Sequence, residues 1–210
     1  MIPRLYAIAD AGLLSARDIP IADFAADLAE AGISFLQYRD KTSGPQQVLS
    51  AVEQIRTVFH GTLILNDRPD LAVLSDADGV HVGQDDLSPA DTRAIIGPSR
   101  FIGVSTHNDD QVRAAHLTPA DYIAIGPVFA TASKLNPDPV IGLEGVRRAR
   151  ALTTRPLVAI GGITRDNART VIEAGADSVA IISALLSRRE ATISREPTRS
   201  IVADFLDVLR

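Results

Sequence analysis

Gln37, Arg39 and Lys41 stand at alternate positions in the stretch Gln37-Tyr38-Arg39-Asp40-Lys41. In an extended strand residues two apart share a face, so this spacing predicts an amide, a guanidinium and an ammonium pointing one way. Arg offers a planar fork and Lys a point charge, a combination that suits the oxygens of a pyrophosphate. The competing reading is a salt-bridge layer at a strand end, with Asp40 and neighbouring acids as partners. Acids follow in Asn66-Asp67-Arg68-Pro69 and in Asp78-Gly79-Val80-His81-Val82-Gly83-Gln84-Asp85-Asp86. Magnesium takes one or two carboxylates and completes its octahedron with water and phosphate oxygens. Asp67 and Asp86 on adjacent loops fit that need; two helix caps without metal are the alternative, since Pro69 is suited to the first helical position. Asp85 competes with Asp86 on spacing alone. His81, between two valines, reads at least as readily as a satisfied interior histidine, and it is left out of the catalytic set.

Two further groups lie downstream. Gly126-Pro127-Val128-Phe129 leads into Thr131-Ala132-Ser133-Lys134 and the Thr131–Gly142 loop, which is long for its place and carries Asn136-Pro137-Asp138-Pro139. Lys134 there either closes over a bound anion or is an ordinary exposed lysine. Gly161-Gly162, together with Ile182-Ser183 and a short helix opening at Ala184, predicts a phosphate monoester site, because glycine permits close approach and helix N-termini present N–H donors.

Such groups need a scaffold that brings strand ends together. Short apolar runs recur with helical periodicity between them, the rhythm of repeated βα units. The expected strands are Leu5–Asp10, Phe35–Asp40, Leu63–Asp67, Gly79–Gly83, Phe101–Ser105, Tyr122–Gly126, Leu157–Gly161 and Ser178–Ser183. The expected helices are Ile21–Ala31, Pro45–Phe59, Arg68–Ser75, Pro89–Ile96, Asp109–Leu117, Leu143–Leu152, Arg165–Ala174 and Ile193–Leu209, with a charged surface loop over Ser187–Thr198. Eight strands and eight helices predict a single-domain α/β (β/α)8 barrel over residues 1–210, whose polar residues cluster after the strands, where this fold builds its sites. A doubly wound sheet is disfavoured because Ala9-Asp10-Ala11-Gly12 lacks the glycine-rich turn expected after its first strand.

Composition narrows the partners. With 4% aromatic residues the core must be built from Ala, Val, Ile and Leu, as suits helices over a parallel sheet. A formal net charge of −5 without a dominant basic cluster argues against nucleic acid. The absence of cysteine excludes thiolate and zinc–cysteine chemistry and fits a reducing compartment. No long apolar run predicts a membrane span, and Met1-Ile2-Pro3-Arg4 does not begin a signal peptide, so the expectation is a cytoplasmic protein acting on small molecules. Homo-oligomerisation is left open.

Seven stretches, in this order on eight βα units, together resemble the thiamin phosphate synthase family: Gln37–Lys41, Asn66–Arg68, Asp78–Asp86, Gly103–His107, Gly126–Phe129, Thr131–Lys134 and Ala159–Ile163. The resemblance runs from Leu5 to Ser183. It implies a transferase of thiamine biosynthesis that joins a hydroxymethylpyrimidine diphosphate to a thiazole phosphate and releases pyrophosphate, with one magnesium ion per subunit. It further implies that Gln37, Arg39, Lys41, Asn66, Ser105 and Lys134 contact the pyrimidine diphosphate, with Arg39, Lys41 and Lys134 as the catalytic cations. Asp67 and Asp86 match the magnesium ligands, and Thr131, Ser133, Gly162, Ile182 and Ser183 match the thiazole phosphate site. Ser133 replaces the second threonine of the usual Thr-x-Thr-Lys; the hydroxyl stays, while a methyl that restricts the rotamer is lost. The implied path is dissociative: the aminopyrimidine supports a carbocation while the cations absorb charge on the leaving pyrophosphate, each worth roughly 3 kcal/mol if well placed. Two rivals are weaker. A related tautomerase has a histidine after the glycine of strand six, where this chain has Pro127. A non-catalytic sensor of pathway phosphates would have little use for a pyrophosphate-leaving site.

Overall fold

A computed structural model of the protein describes residues 2–131, 138–186 and 198–210. Among these, eight parallel strands close into a barrel in chain order: β1 (Leu5–Asp10), β2 (Phe35–Arg39), β3 (Thr62–Asn66), β4 (Gly79–Val82), β5 (Phe101–Thr106), β6 (Tyr122–Ile125), β7 (Leu157–Ile160) and β8 (Ser178–Ile181), with β8 returning to β1. The helices are α1 (Ala11–Ser15), α2 (Ile21–Glu30), α3 (Pro45–Val58), α4 (Pro69–Leu74), α5 (Pro89–Ile96), α6 (Asp109–His116), α7 (Gly142–Leu152), α8 (Arg165–Glu173) and α9 (Thr198–Val208). The expected (β/α)8 barrel is therefore present.

Strand alternation divides the apolar residues into two cores. Leu36, Leu63, Leu65, Val80, Ile102, Ile123, Leu157 and Val179 point outward and are covered by the helices. Tyr6, Ile8, Phe35, Ile64, Tyr122, Ala124, Val158 and Ala180 fill the barrel interior. An interior packed this way is a solid floor rather than a pore, so ligands are confined to its ends.

The differences from the expected boundaries fall at the rim. Asp40, Asp67, Gly83, Gly126 and Gly161 each lie one residue beyond the strand they were expected to end. Asp67 and Gly161 have φ values of +59° and +102°, so the backbone has already left the ladder at these two positions. β8 stops at Ile181, and Ser183 opens a 3-10 turn, Ser183–Leu185. α1 was not expected; it is only one turn and a half long, and the Asp10 carboxylate caps it by accepting the Leu13 N–H at 3.0 Å. Residues 187–197 lie outside the described residues, and with them most of the expected surface loop and the first turn of the expected last helix; Thr198 belongs to α9.

The opposite end of the barrel carries a repeated clamp. Arg56 of α3, Arg93 of α5 and Arg150 of α7 each pair with the aspartate that precedes the second strand onward, Asp78, Asp121 and Asp177, at 2.7, 2.7 and 2.8 Å. Each of those carboxylates also accepts a strand N–H, from Leu63, Ile102 and Leu157 respectively. Each arginine further donates to loop carbonyls, among them Gly61, Gly97 and Arg155. Asp78, part of the longest motif in the chain, therefore serves the barrel's base and not its rim.

Candidate active site

The sequence places Gln37 and Arg39 on one face of β2, and Tyr38 between them packs outward into the helix-side core. Gln37 is buried and donates its Nε2–H to the Tyr6 hydroxyl at 2.7 Å. Arg39 forms an ion pair with Asp10, the same carboxylate that caps α1. Lys41, half exposed beyond the strand, pairs with Asp67. The cations thus meet acids on neighbouring strands rather than Asp40. Asp40 instead accepts from the Tyr38 hydroxyl at 3.1 Å and from the Thr42 and Ser43 amides.

Asp67 follows β3 in a left-handed conformation that aspartate tolerates better than most residues, and its N–H donates to the His81 carbonyl at 2.8 Å. Asp86 accepts the Gly83 N–H at 2.7 Å and lies against Asp67. Burial, and then the Asp67 carboxylate, push the Asp86 carboxyl above its ordinary value, against the pull of the Gly83 amide and Lys41. Two carboxylates held this close repel unless a cation or a proton lies between them. Of the neighbouring acids, Asp86 is the one that meets Asp67. Asn66 ends β3 and is 8% exposed, and its Nδ2 is a buried donor with no partner among the described residues. Such an orphan costs about 1–3 kcal/mol, a deficit that an oxyanion at this rim would remove. Among the described residues no cluster of three or more His, Cys, Asp or Glu could hold a metal, which a magnesium site does not require.

Below this rim runs a chain of buried polar groups that sequence reasoning did not assemble. The Tyr6 and Tyr122 hydroxyls are 2.9 Å apart, the Tyr122 hydroxyl lies 3.0 Å from His81 Nδ1, and His81 Nε2 lies 2.8 Å from Ser105 Oγ. His81 is thus satisfied at both nitrogens, and burial lowers its pKa from 6.5 to about 4, so it is a neutral interior histidine at pH 7. The available signal was Tyr6, His81 and Tyr122 at inward strand positions, with Gly103, whose missing side chain leaves room for His81 and Tyr122, between the last two. Asp10 was also missed, and its place at the end of β1, across from Arg39 in the ladder, was the signal.

The second predicted anion site lies across the mouth. Gly161 and Gly162 have φ values of +102° and +64°, and a Cβ on Gly162 would sit 2.4 Å from the Ala130 carbonyl oxygen. Asn167, in the first turn of α8, holds the loop by donating to the Gly162 carbonyl at 3.2 Å. Ile182 and Ser183 lead β8 into its 3-10 turn beside it, and Thr131 is partly buried on the loop after β6. Ser133 and Lys134 lie outside the described residues. A cavity of about 270 Å³ lined by His107, Asn108, Ile125, Ile141 and Arg148 sits between α6 and α7, and none of the residues of either group lines it.

Comparison with known proteins identifies the family. The family model described as thiamine monophosphate synthase matches residues 5–185. A thiamine-phosphate synthase of Koribacter versatilis is 51% identical over 189 residues, covering 88% of this chain and 90% of that protein. One from Chloroflexus aurantiacus is 39% identical over 203 residues, covering 95% and 93%. The solved thiamine phosphate pyrophosphorylase of Pyrococcus furiosus superimposes with a TM-score of 0.83 at 30% identity, over 98% of this chain and 95% of that one. With a match that spans every strand and both groups of rim residues, the chain belongs to the thiamine monophosphate synthase family.

Proposed function

We propose that this protein catalyses thiamin phosphate synthesis: it joins an aminopyrimidine methyl diphosphate to a thiazole phosphate and releases pyrophosphate. The observation that carries this reading is the corner formed by Arg39, Lys41, the orphaned Asn66 Nδ2 and the Asp67–Asp86 carboxylate pair. Cations, an unmatched buried donor and two crowded carboxylates are what a metal-bound diphosphate would complement.

Asp67 and Asp86 are the residues that would hold magnesium, and their mutual repulsion without a cation supports the fit. When bound, the ion supplies charge neutralisation to the departing pyrophosphate. Arg39, kept in place by Asp10, and Lys41 bind the diphosphate and stabilise the charge that grows on it; Lys134 matches a third cation by sequence. Gln37 and Ser105 hold the pyrimidine ring above the barrel floor. The C–O bond to the diphosphate breaks first, giving a pyrimidine-stabilised carbocation, and the thiazole nitrogen then forms the new C–N bond. Gly162, Ile182 and Ser183, with Thr131 and Ser133, receive the thiazole phosphate and so aim the nitrogen, turning remote binding energy into orientation.

The test is pyrophosphate release from the full-length chain with both substrates and magnesium, against reactions lacking each in turn. The expected result is release only with all three. Release without the thiazole phosphate at the same rate would replace synthesis by hydrolysis, and no release at all would overturn the reading. No helix among the described residues is long and apolar enough to cross a membrane, and the site is built for small phosphorylated substrates.

A further inference from the structure

The floor beneath the rim is polar in one direction. Gln37 presents Nε2–H to Tyr6, so the Tyr6 oxygen accepts there and its single proton is directed to its other partner, Tyr122. Tyr122 can serve either neighbour as donor or acceptor; continuing the sense set by Gln37, it accepts from Tyr6 and donates to His81 Nδ1. Of the two tautomers the contact admits, the one that continues this sense carries its proton on Nε2 and donates it to Ser105 Oγ. Burial holds both phenols protonated, above their ordinary range, so neither hydroxyl drops out of the chain. The rings are fixed as well: Tyr6 meets Phe35 edge-on with centroids 4.7 Å apart, and Tyr122 meets Tyr6, Phe35 and His81 at 6.0, 6.2 and 5.5 Å.

The two ends of this chain are the two side chains that the proposed function sets against the pyrimidine. With Nε2 committed to Tyr6, Gln37 keeps Oε1 as an acceptor; with its oxygen accepting from His81, Ser105 keeps its hydroxyl proton as a donor. We propose that Tyr6, Tyr122 and His81 are positioning residues that couple these ends. The floor then offers one acceptor and one donor in fixed order and selects a ring bearing an exocyclic amine beside an unprotonated ring nitrogen. This deepens the reading above and rests on it.

The coupling gives selectivity. A 4-oxo analogue presents the reverse pattern, a ring N–H beside a carbonyl. Its carbonyl would face Gln37 Oε1 and its ring N–H the Ser105 hydroxyl proton; restoring complementarity at those two atoms requires the Gln37 amide, both phenol protons and the His81 tautomer to reverse together in a packed interior. Cutting the chain in the middle lets each end reverse alone, so the oxo analogue regains rate while the amino substrate loses its preset partner.

Tyr122→Phe keeps the ring and removes the central hydroxyl. In the full-length variant, with magnesium and the thiazole phosphate, the ratio of kcat/KM for the aminopyrimidine diphosphate to that for its 4-oxo analogue should fall at least about tenfold, as expected for loss of roughly one hydrogen bond's worth of discrimination. Tyr6→Phe cuts the next link and should give the same direction, which keeps the test available if the first variant does not fold. Equal loss on both substrates, leaving the ratio unchanged, would show a purely structural role and overturn the proposal. Nitrogen-15 NMR of the imidazoles in the ligand-free wild-type chain reads the direction without turnover: His81 should carry its proton on Nε2 with Nδ1 bare, and the opposite tautomer would also overturn it. Failure of the parent reading would be visible separately, as a wild-type chain that releases no pyrophosphate from the amino substrate.

Discussion

Replacing Gly103 by alanine should be among the most damaging single-methyl changes in this protein. Gly103 faces inward on β5, with His81 opposite it on β4 and Tyr122 opposite it on β6. An added Cβ would lie 2.1 Å from Tyr122 Cζ, 2.3 Å from its hydroxyl and 2.4 Å from His81 Nδ1. Tyr122 has little room to retreat, because Phe35 and Tyr6 pack against it. Overpacking a closed core costs about 1–3 kcal/mol. Displacing the Tyr122 hydroxyl also strands its hydrogen bonds to Tyr6 and His81, adding about 1 kcal/mol or more for each buried group left unmatched. The expected loss is about 3 kcal/mol, read as a lower urea midpoint at unchanged slope, with circular dichroism and fluorescence transitions coinciding. The double variant Gly103→Ala with Tyr122→Leu should lose clearly less than the sum of the two single changes, because leucine lacks the ring atoms that collide. A loss below about 0.5 kcal/mol for Gly103→Ala, or simple additivity in the cycle, would refute the claim that the interior is packed this tightly around the chain of hydroxyls.

Three other perturbations test separate parts of the molecule. His81 is held near pKa 4 when folded and returns to 6.5 when unfolded. Below pH 6.5 the unfolded chain therefore binds a proton that the folded chain refuses, and stability should fall by about 2 kcal/mol by pH 5 and about 3 kcal/mol near pH 4. Urea titrations across that window should show this slope in the wild type and lose it in His81→Gln; equal slopes would remove His81 as its cause. Asp67→Asn and Asp86→Asn should each raise the magnesium concentration needed for half-maximal pyrophosphate release by about tenfold or more, as for loss of one charged ligand, and an unchanged metal titration would refute the ligand assignment. Asp121→Ala should cost about 1–2 kcal/mol by releasing Arg93 and the Ile102 N–H, discounted for partial exposure. Because this clamp lies at the far end of the barrel, KM for both substrates should not move, and a change in KM without loss of stability would place Asp121 in the wrong role.

Local chemistry made much of this legible before any coordinates. Eight apolar runs separated by helical periodicity, without the glycine-rich turn of a doubly wound sheet, pointed to the barrel that is present. Period-two alternation determined that Gln37 and Arg39 share a face. The glycine pair after β7 announced a tight approach, and the φ values there require it. Spacing could not decide partners, because a side chain's partner is set by which strands become neighbours and by how each loop leaves its ladder. The pairing of β1 with β2 placed Asp10 beside Arg39, and the left-handed turn at Asp67 brought its carboxylate to Lys41 and Asp86. The pairing of β4, β5 and β6 in turn made His81, unremarkable between two valines, a link between Tyr122 and Ser105, residues 41 and 24 positions away in the chain. The sequence by itself determined that Gln37, Arg39, Lys41, Asn66, Asp67 and Asp86 would stand at or just beyond strand ends. Tertiary structure alone decided which of them touch, and that they rest on a hydrogen-bonded floor linking Gln37 to Ser105.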